Sequence, residues 1–175
     1  KTSFNQGKLE MAEDVHVGKT KDSFLFVGHF DHPQMCLDGL IGCLAGHELM
    51  QRIRRKKTNL TYRMLSTVEI IGSVFYTKYQ AKKNKVREAL FISAPGAPVN
   101  ISYQQTFLKN NQIDKIVDHV LKNLNINFNT YDFRKGVIGN DEIAYDTGGT
   151  NIPCGALARA PFYSYHNDLD KPSGV

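Results

Sequence analysis

The chain has 175 residues, of which 41% are hydrophobic and 22% are charged, values that allow one globular domain (residues 1–175) with a sizeable core. No stretch approaches the roughly 20 apolar residues of a membrane span, so we expect no membrane partner. The three cysteines form no Cys-x-x-Cys pattern, which favours a reducing cytoplasm over a disulfide scaffold.

The net charge of +5 raises the question of a nucleic-acid partner. Much of the excess lies in two basic clusters, at residues 52–57 and 78–87. Both clusters fall where predicted helices end, and cations at a helix C-terminus interact favourably with the helix dipole. Aromatic residues do not alternate with these charges, as they do on surfaces that stack bases. Solvated helix ends therefore explain the charge better, and we expect no nucleic-acid partner.

The hydrophobic pattern predicts alternating strands and helices. In chain order these are strands over 8–17 and 23–28, a helix after Asp38 that ends near Ile53, a strand over 60–66, a helix over 72–83, a strand over 89–92, a helix over 111–124, and strands over 125–133 and 152–157. Residues 139–151 are rich in Gly, Asp, Asn and Thr, which predicts a loop. The alternation is typical of a layered α/β fold.

The loop after the second predicted strand carries the most informative chemistry. His29, Asp31, His32 and Asp38 lie within ten residues, directly after the apolar run of residues 24–27. In an open α/β sheet, ligands and metals bind at the carboxyl end of such a strand. Imidazole and carboxylate groups are the ligands that zinc takes in catalytic sites. The loop therefore predicts a zinc site, while simple capping of the next helix remains the alternative role for Asp38.

Three carboxylates further along the chain are candidate catalytic groups. Glu69 follows a predicted strand and is flanked by Val68 and Ile70. Poor solvation there would raise its pKa and suit a general base, although a glutamate serving the helix dipole is the alternative. Asp141 and Glu142 fall in a predicted loop, where acids are usually solvated.

Two basic side chains near the end of the sequence complete the candidates. His166 lies among tyrosines, where a histidine is more often structural than a ligand. Arg159 would pair with a substrate carboxylate or with a structural acid.

Taken in order, these motifs resemble the zinc aminopeptidase superfamily of the co-catalytic metallopeptidase type. The closest resemblance is to the bacterial aminopeptidase-like family long known as a domain of unknown function. The motifs that carry it are His32-Pro33, Asp38-Gly39-Leu40-Ile41-Gly42, Val68-Glu69-Ile70-Ile71-Gly72-Ser73, Gly139-Asn140-Asp141-Glu142-Ile143-Ala144-Tyr145, Ile152-Pro153 through Arg159, and Tyr165-His166.

The resemblance implies a mixed, largely parallel central sheet with helices on both faces. It also implies a zinc-dependent hydrolase that cleaves an amide bond near a free amine in a peptide or amino-acyl small molecule, with a homo-oligomer possible. Carried over by position, the metal ligands are His32, Asp38 and His166, with His29 as an alternative first ligand because the broader superfamily uses a His-x-Asp pattern. Glu69 becomes the base or a ligand, Asp141 and Glu142 become active-site acids, and Tyr145 and Arg159 become substrate-binding residues.

Departures from the pattern reduce the expected number of metals. The broader superfamily has two adjacent glutamates where this chain has Val68-Glu69, and the resembled family has an aspartate where this chain has Ala97. We therefore expect one metal at most, with ligand atoms of His32, Asp38 and His166 converging to roughly 3–4 Å of one another. The alternative is a catalytically lapsed domain with a binding or accessory role in surface-carbohydrate biosynthesis.

Overall fold

The computed structural model describes residues 2–33, 35–135 and 140–174, and seven strands in this part of the chain form one sheet. The strands are β1 (Ala12–His16), β2 (Ser23–His29), β3 (Thr61–Thr67), β4 (Val86–Ser93), β5 (Ile101–Gln104), β6 (Phe128–Tyr131) and β7 (Cys154–Arg159). Their order across the sheet is β1-β3-β2-β4-β7-β5-β6.

Four adjacent strands give the sheet its main direction. Strand β2 pairs in parallel with β3 and β4, and β4 pairs in parallel with β7. Strand β1 at one edge runs antiparallel to β3, and the parallel pair β5 and β6 runs antiparallel to β7. The predicted mixed, largely parallel sheet is confirmed. All four parallel strands therefore end at the same edge of the sheet.

Helices cover both faces of this sheet, as predicted. They are α1 (Ile41–Ile53), α2 (Ile71–Tyr76), α3 (Gln112–Asn123) and α4 (Glu142–Tyr145), with π-helical turns at Cys36–Leu40 and Thr77–Ala81 and a 3-10 turn at Pro172–Gly174. Successive residues of β2 point to opposite faces. Phe26 packs in a cluster with residues of α1 and α3, whereas Leu25 and Val27 pack with Tyr76 of α2 and Tyr145 of α4.

The structure differs from the sequence prediction at three places. Strand β5 was not predicted; its four residues pair antiparallel with β7 and parallel with β6. Helix α4 lies inside the predicted loop. The alternative role of Asp38 as the cap of the long helix does not hold: α1 begins at Ile41, and Asp38 lies before it with a non-helical backbone (φ −104°, ψ 82°). Among the described residues, no helix has both the length and the apolar character needed to cross a bilayer.

Candidate metal centre

The candidate residues gather at the carboxyl edge of the four parallel strands. His29 is the last residue of β2, Glu69 follows two residues after β3, and His166 lies in the segment after β7. This edge is where open α/β sheets bind ligands. The common direction of the strands therefore brings residues from three widely separated parts of the sequence to the same edge.

His29 lies at the centre of this group and is fully buried. Its Nδ1 is 3.3 Å from Oδ1 of Asp31, and its Nε2 is 3.3 Å from Oδ1 of Asp38. Burial alone would lower the pKa of His29, but the Asp38 carboxylate and other nearby carboxylates outweigh it and raise the pKa above its ordinary value. A β-carbon on Gly39 would lie 2.6 Å from the His29 ring, so only glycine leaves room for this imidazole.

Asp38 is the second buried member of the group, with 2% of its side chain exposed. Burial would raise its pKa, but the close approach of His29 and the charges of nearby histidines lower it below the ordinary range. Its Oδ2 lies 2.9 Å from Nε2 of His166. No described group forms a hydrogen bond of good geometry with this Oδ2, or with either ring nitrogen of His29.

Asp170, from the end of the chain, holds the loop that carries Asp38. Its buried carboxylate accepts hydrogen bonds from three successive backbone N–H groups, those of Cys36 (3.1 Å), Leu37 (2.6 Å) and Asp38 (2.9 Å). A carboxylate that binds three N–H groups fixes the backbone of this turn. Sequence analysis missed Asp170, because nothing near it in the sequence indicates a partner that lies 132 residues away.

His32 and His166 lie on the open side of Asp38. One ligand atom from each of His32, Asp38 and His166 lies within 4.8 Å of the others. A second such group consists of His29, Asp31 and His32. The His166 ring stacks on Tyr165 at a centroid distance of 3.9 Å and is about half exposed.

Glu69 reaches the same cluster from the turn after β3. Its Oε2 lies 3.6 Å from Nε2 of His32, and its backbone N–H donates a hydrogen bond of 3.0 Å to Oδ1 of Asp31. Asp31 therefore touches both His29 and the Glu69 backbone, so it ties two loops of the site together. In the sequence, the His-x-Asp pattern of His29 and Asp31 was the feature that pointed to Asp31 as part of the site.

Asp141 is a buried acid behind Glu69. It accepts hydrogen bonds from the Ile70 backbone N–H and from the Ser73 hydroxyl, and Ser73 in turn accepts one from the Tyr145 hydroxyl. Burial raises the pKa of Asp141 to about 6, even though the Ser73 bond and the charge of His29 act in the opposite direction. Tyr145 is fully buried. The substrate-binding role expected for it stays a prediction.

The remaining candidates have partners away from the cluster. Glu142 is buried and accepts hydrogen bonds from the Gln104 side chain and the Asn140 backbone, each of 2.8 Å. Arg159 ends β7 and donates a 2.6 Å hydrogen bond to the Val99 carbonyl. The roles predicted for both stay predictions, and Gly139 of the loop motif lies outside the described residues.

The donors at this edge fit a zinc ion. Zinc takes imidazole nitrogen and carboxylate oxygen, and a catalytic site needs about three protein ligands. The group of His32, Asp38 and His166 and the group of His29, Asp31 and His32 both offer such donors. Within these groups His29 and Asp38 are buried and have unpartnered polar atoms. Burying such atoms without a partner is costly, and a cation would offset that cost.

A cleft of about 870 Å³ adjoins the two more exposed histidines. His32 and His166 form part of its wall, and Phe30, Met35 and Leu40 supply apolar surface beside them. A volume of this size accommodates a small molecule or the end of a peptide.

Comparison with known proteins relates this arrangement to a group of peptidase-like folds. A curated relative from Clostridium acetobutylicum, named as a polysaccharide biosynthesis protein with an aminopeptidase-like domain, is 28% identical over 172 residues. The match covers 97% of this chain and 39% of the relative, so the chain spans about two fifths of that relative's length.

Solved structures and family membership agree with this result. A crystal structure from Clostridium acetobutylicum, described as that of a peptidase, has a TM-score of 0.86 at 27% identity, over 94% of this chain and 39% of that chain. A zinc aminopeptidase from Bacillus subtilis has a TM-score of 0.78 at 10% identity, over 94% of this chain and 45% of that chain, which shows a shared fold. The family described as "Domain of unknown function (DUF4910)" matches residues 2–175, so this chain, with its aminopeptidase-like fold, belongs to that family.

Proposed function

We propose that this chain is a zinc-binding, aminopeptidase-type hydrolase that cleaves an amide bond near a free amine in a peptide or amino-acyl substrate. The observation that carries the proposal is the buried pair His29 and Asp38, whose unpartnered polar atoms lie beside His32, His166 and Glu69. Structural residues are usually satisfied by hydrogen bonds when buried, so unpartnered atoms in such a cluster favour a ligand.

His29, His32, Asp38 and His166 would hold the ion, and we propose a single one because Val68 and Ala97 stand where the resemblance described above implies acids. When bound, zinc supplies a Lewis acid that polarises a carbonyl group and lowers the pKa of water. Asp31 lies against Nδ1 of His29, and a carboxylate in that position fixes the orientation of a ligand imidazole.

Glu69 is the proposed general base. Its carboxylate is a quarter exposed, so it can meet water at the edge of the cleft. It would take a proton from the attacking water on a carboxylate oxygen and deliver that proton to the leaving nitrogen. Asp31, which accepts a hydrogen bond from the Glu69 N–H, would keep this backbone in place.

The cleft beside the histidines would bind the substrate. Phe30, Met35 and Leu40 offer an apolar wall for a side chain next to the scissile bond. We also propose a cytoplasmic location, supported by the free thiols of Cys36, Cys43 and Cys154.

A second candidate is a domain that keeps the fold and the metal but does not turn over substrate. It is favoured by the name of the curated relative, a polysaccharide biosynthesis protein with an aminopeptidase-like domain. Val68 and Ala97, which stand where the resemblance implies acids, also favour it, since each carboxylate would contribute to a metal shell.

Metal analysis and one substitution test the proposal. We expect protein purified without chelator to contain about one zinc per chain. On a panel of amino-acyl chromogenic amides, Glu69→Gln should keep the metal and lower turnover by about 10²–10⁴. The control is Glu48→Gln, which alters an exposed glutamate paired with Arg52.

The outcomes separate the two candidates. Zinc with turnover that Glu69→Gln removes supports the hydrolase. Zinc without turnover on the panel supports the accessory domain. Protein without zinc, or a Glu69→Gln variant as active as Glu48→Gln, contradicts the hydrolase proposal.

A further inference from the structure

A group of basic side chains lines a cleft at the opposite end of the sheet from the candidate metal centre. This cleft, of about 810 Å³, is bounded by Lys78, Lys82, Lys85 and Arg87 on one side and by the loop of residues 148–151 on the other. It lies beside Val86, the first residue of β4, whereas the candidate metal centre lies beyond the last residues of the parallel strands. The two sites are therefore at opposite ends of the sheet.

The charges in the cleft are largely uncompensated. Arg87 pairs with Asp22 at 3.0 Å. Within the described ranges, Lys78, Lys82 and Lys85 have no carboxylate at ion-pair distance, and no acidic residue lines the cleft. Several cations around one concavity repel one another, and an anion placed between them removes that repulsion.

The segment that carries the three lysines has two locally unfavourable features. Lys78 and Lys82 are four residues apart in the helical segment, a spacing at which like charges destabilise a helix. Lys85 has a φ of +49°, a left-handed conformation at the end of this segment that glycine or asparagine adopts most easily. Such departures from local preference are expected mainly where a segment has a functional role.

The opposite wall includes two glycines whose backbone N–H groups are free within the described part of the chain. In the described structure, the backbone N–H groups of Gly148 and Gly149 donate no hydrogen bond, and a β-carbon at either position would meet open space. Free N–H groups of a glycine loop opposite cations are a known arrangement for phosphate binding. The floor is apolar, formed in part by the buried side chains of Ala81, Val86 and Ile152.

We propose that this cleft is a second ligand site, which binds a compact phosphorylated small molecule. Its phosphate groups would lie between the three lysines and the 148–149 loop, and the body of the molecule would lie on the apolar floor. The volume is within the range of small-molecule sites. No aromatic side chain lines the cleft, so the base stacking of a nucleic-acid surface has no platform there.

Titration with tripolyphosphate, a compact polyanion, tests the proposal. In calorimetry, the intact chain should bind it, and Lys78→Gln/Lys82→Gln should weaken binding by about tenfold or more, since two charges are lost. The single change Lys82→Gln should also weaken binding, whereas Lys82→Arg, which keeps the positive charge, should retain most of the affinity. The matched control is Lys83→Gln, which removes an exposed lysine from the same turn that does not line the cleft. All of these changes are on the surface, and equal melting temperatures without ligand show that the variants fold.

A second measurement locates the bound anion. The amide resonances of Gly148 and Gly149 should shift during the titration in nuclear magnetic resonance spectra. Shifts confined to the metal-centre loops, or equal losses of affinity in Lys82→Gln and Lys83→Gln, would overturn the proposal. A short DNA duplex that binds more tightly than tripolyphosphate would also overturn it, in favour of an extended polyanion surface. The lysines and glycines tested here lie at the opposite end of the sheet from Glu69, so a negative result does not bear on the proposed hydrolase.

Discussion

Replacing Asp170 by asparagine tests whether the end of the chain holds the candidate metal centre in place. The Asp170 carboxylate is 2% exposed and accepts three backbone hydrogen bonds at 2.6–3.1 Å. Asparagine keeps one acceptor oxygen and directs an NH₂ group toward at least one backbone N–H. A hydrogen bond to a charged group contributes about 1.5–3 kcal/mol, and an unpaired buried donor costs more. We expect Asp170→Asn to lower the free energy of unfolding by about 2–4 kcal/mol.

The same change should weaken metal binding, because Asp38 lies in the turn that Asp170 fixes. Removing a group that supports a ligand typically costs about 10–100-fold in metal affinity. Urea unfolding of the metal-free protein measures the first effect, and competition with a chromophoric chelator measures the second. Asp168→Asn is the control, since it removes the same charge from an exposed position two residues away. If the two variants match in both assays, Asp170 does not position this site.

Three further changes test other parts of the site. Gly39→Ala should destabilise the fold by about 1–3 kcal/mol and weaken zinc binding, because the new methyl group would overlap the His29 ring. Equal zinc affinity in the variant and the unaltered protein would refute the close approach of the Gly39 backbone to His29. The pKa of Asp141 is raised to about 6, so the folded state holds this proton more tightly than the unfolded state. Between about pH 4 and 6, the metal-free protein should therefore lose stability with rising pH relative to the Asp141→Asn variant. Parallel stability curves for the two proteins would contradict this. Ala97→Asp should raise the zinc content above one per chain, whereas the uncharged Ala97→Asn should not. The buried charge beside Leu37 should also lower the stability of the metal-free Ala97→Asp variant. Two zinc ions in the unaltered protein would refute the single-metal expectation.

The sequence predicted best where a local pattern determines the structure. Helix α3 follows helical spacing so closely that its predicted range, 111–124, differs from the observed Gln112–Asn123 by one residue at each end. The His29-to-Asp38 loop was found because an apolar strand precedes a dense set of polar ligands. In both cases, neighbours in the sequence carry the signal.

The parts that the sequence could not predict depend on distant contacts. Asp170 acts on residues more than 130 positions away, and Asp31 accepts its bond from Glu69 across 38 positions. Strand β5 has four residues, and its place is set by antiparallel pairing with β7 rather than by its own pattern. Asp38 looked like a helix cap because its type and position suit one, but its carboxylate faces His29 and His166 instead.

The geometry bears on which histidine would be the principal ligand, a choice that the sequence left open. His29 is fully buried between two carboxylates, whereas His32 is partly exposed and borders Glu69 and the cleft. A ligand imidazole usually has one nitrogen on the metal and the other on a carboxylate or carbonyl that fixes its orientation. In His29 the nearest such group is the Asp31 carboxylate, 3.3 Å from Nδ1, and Nε2 lies 3.3 Å from Oδ1 of Asp38. His32, at the rim of the cleft, is better placed to contact substrate or to complete a shell that His29 and Asp38 begin.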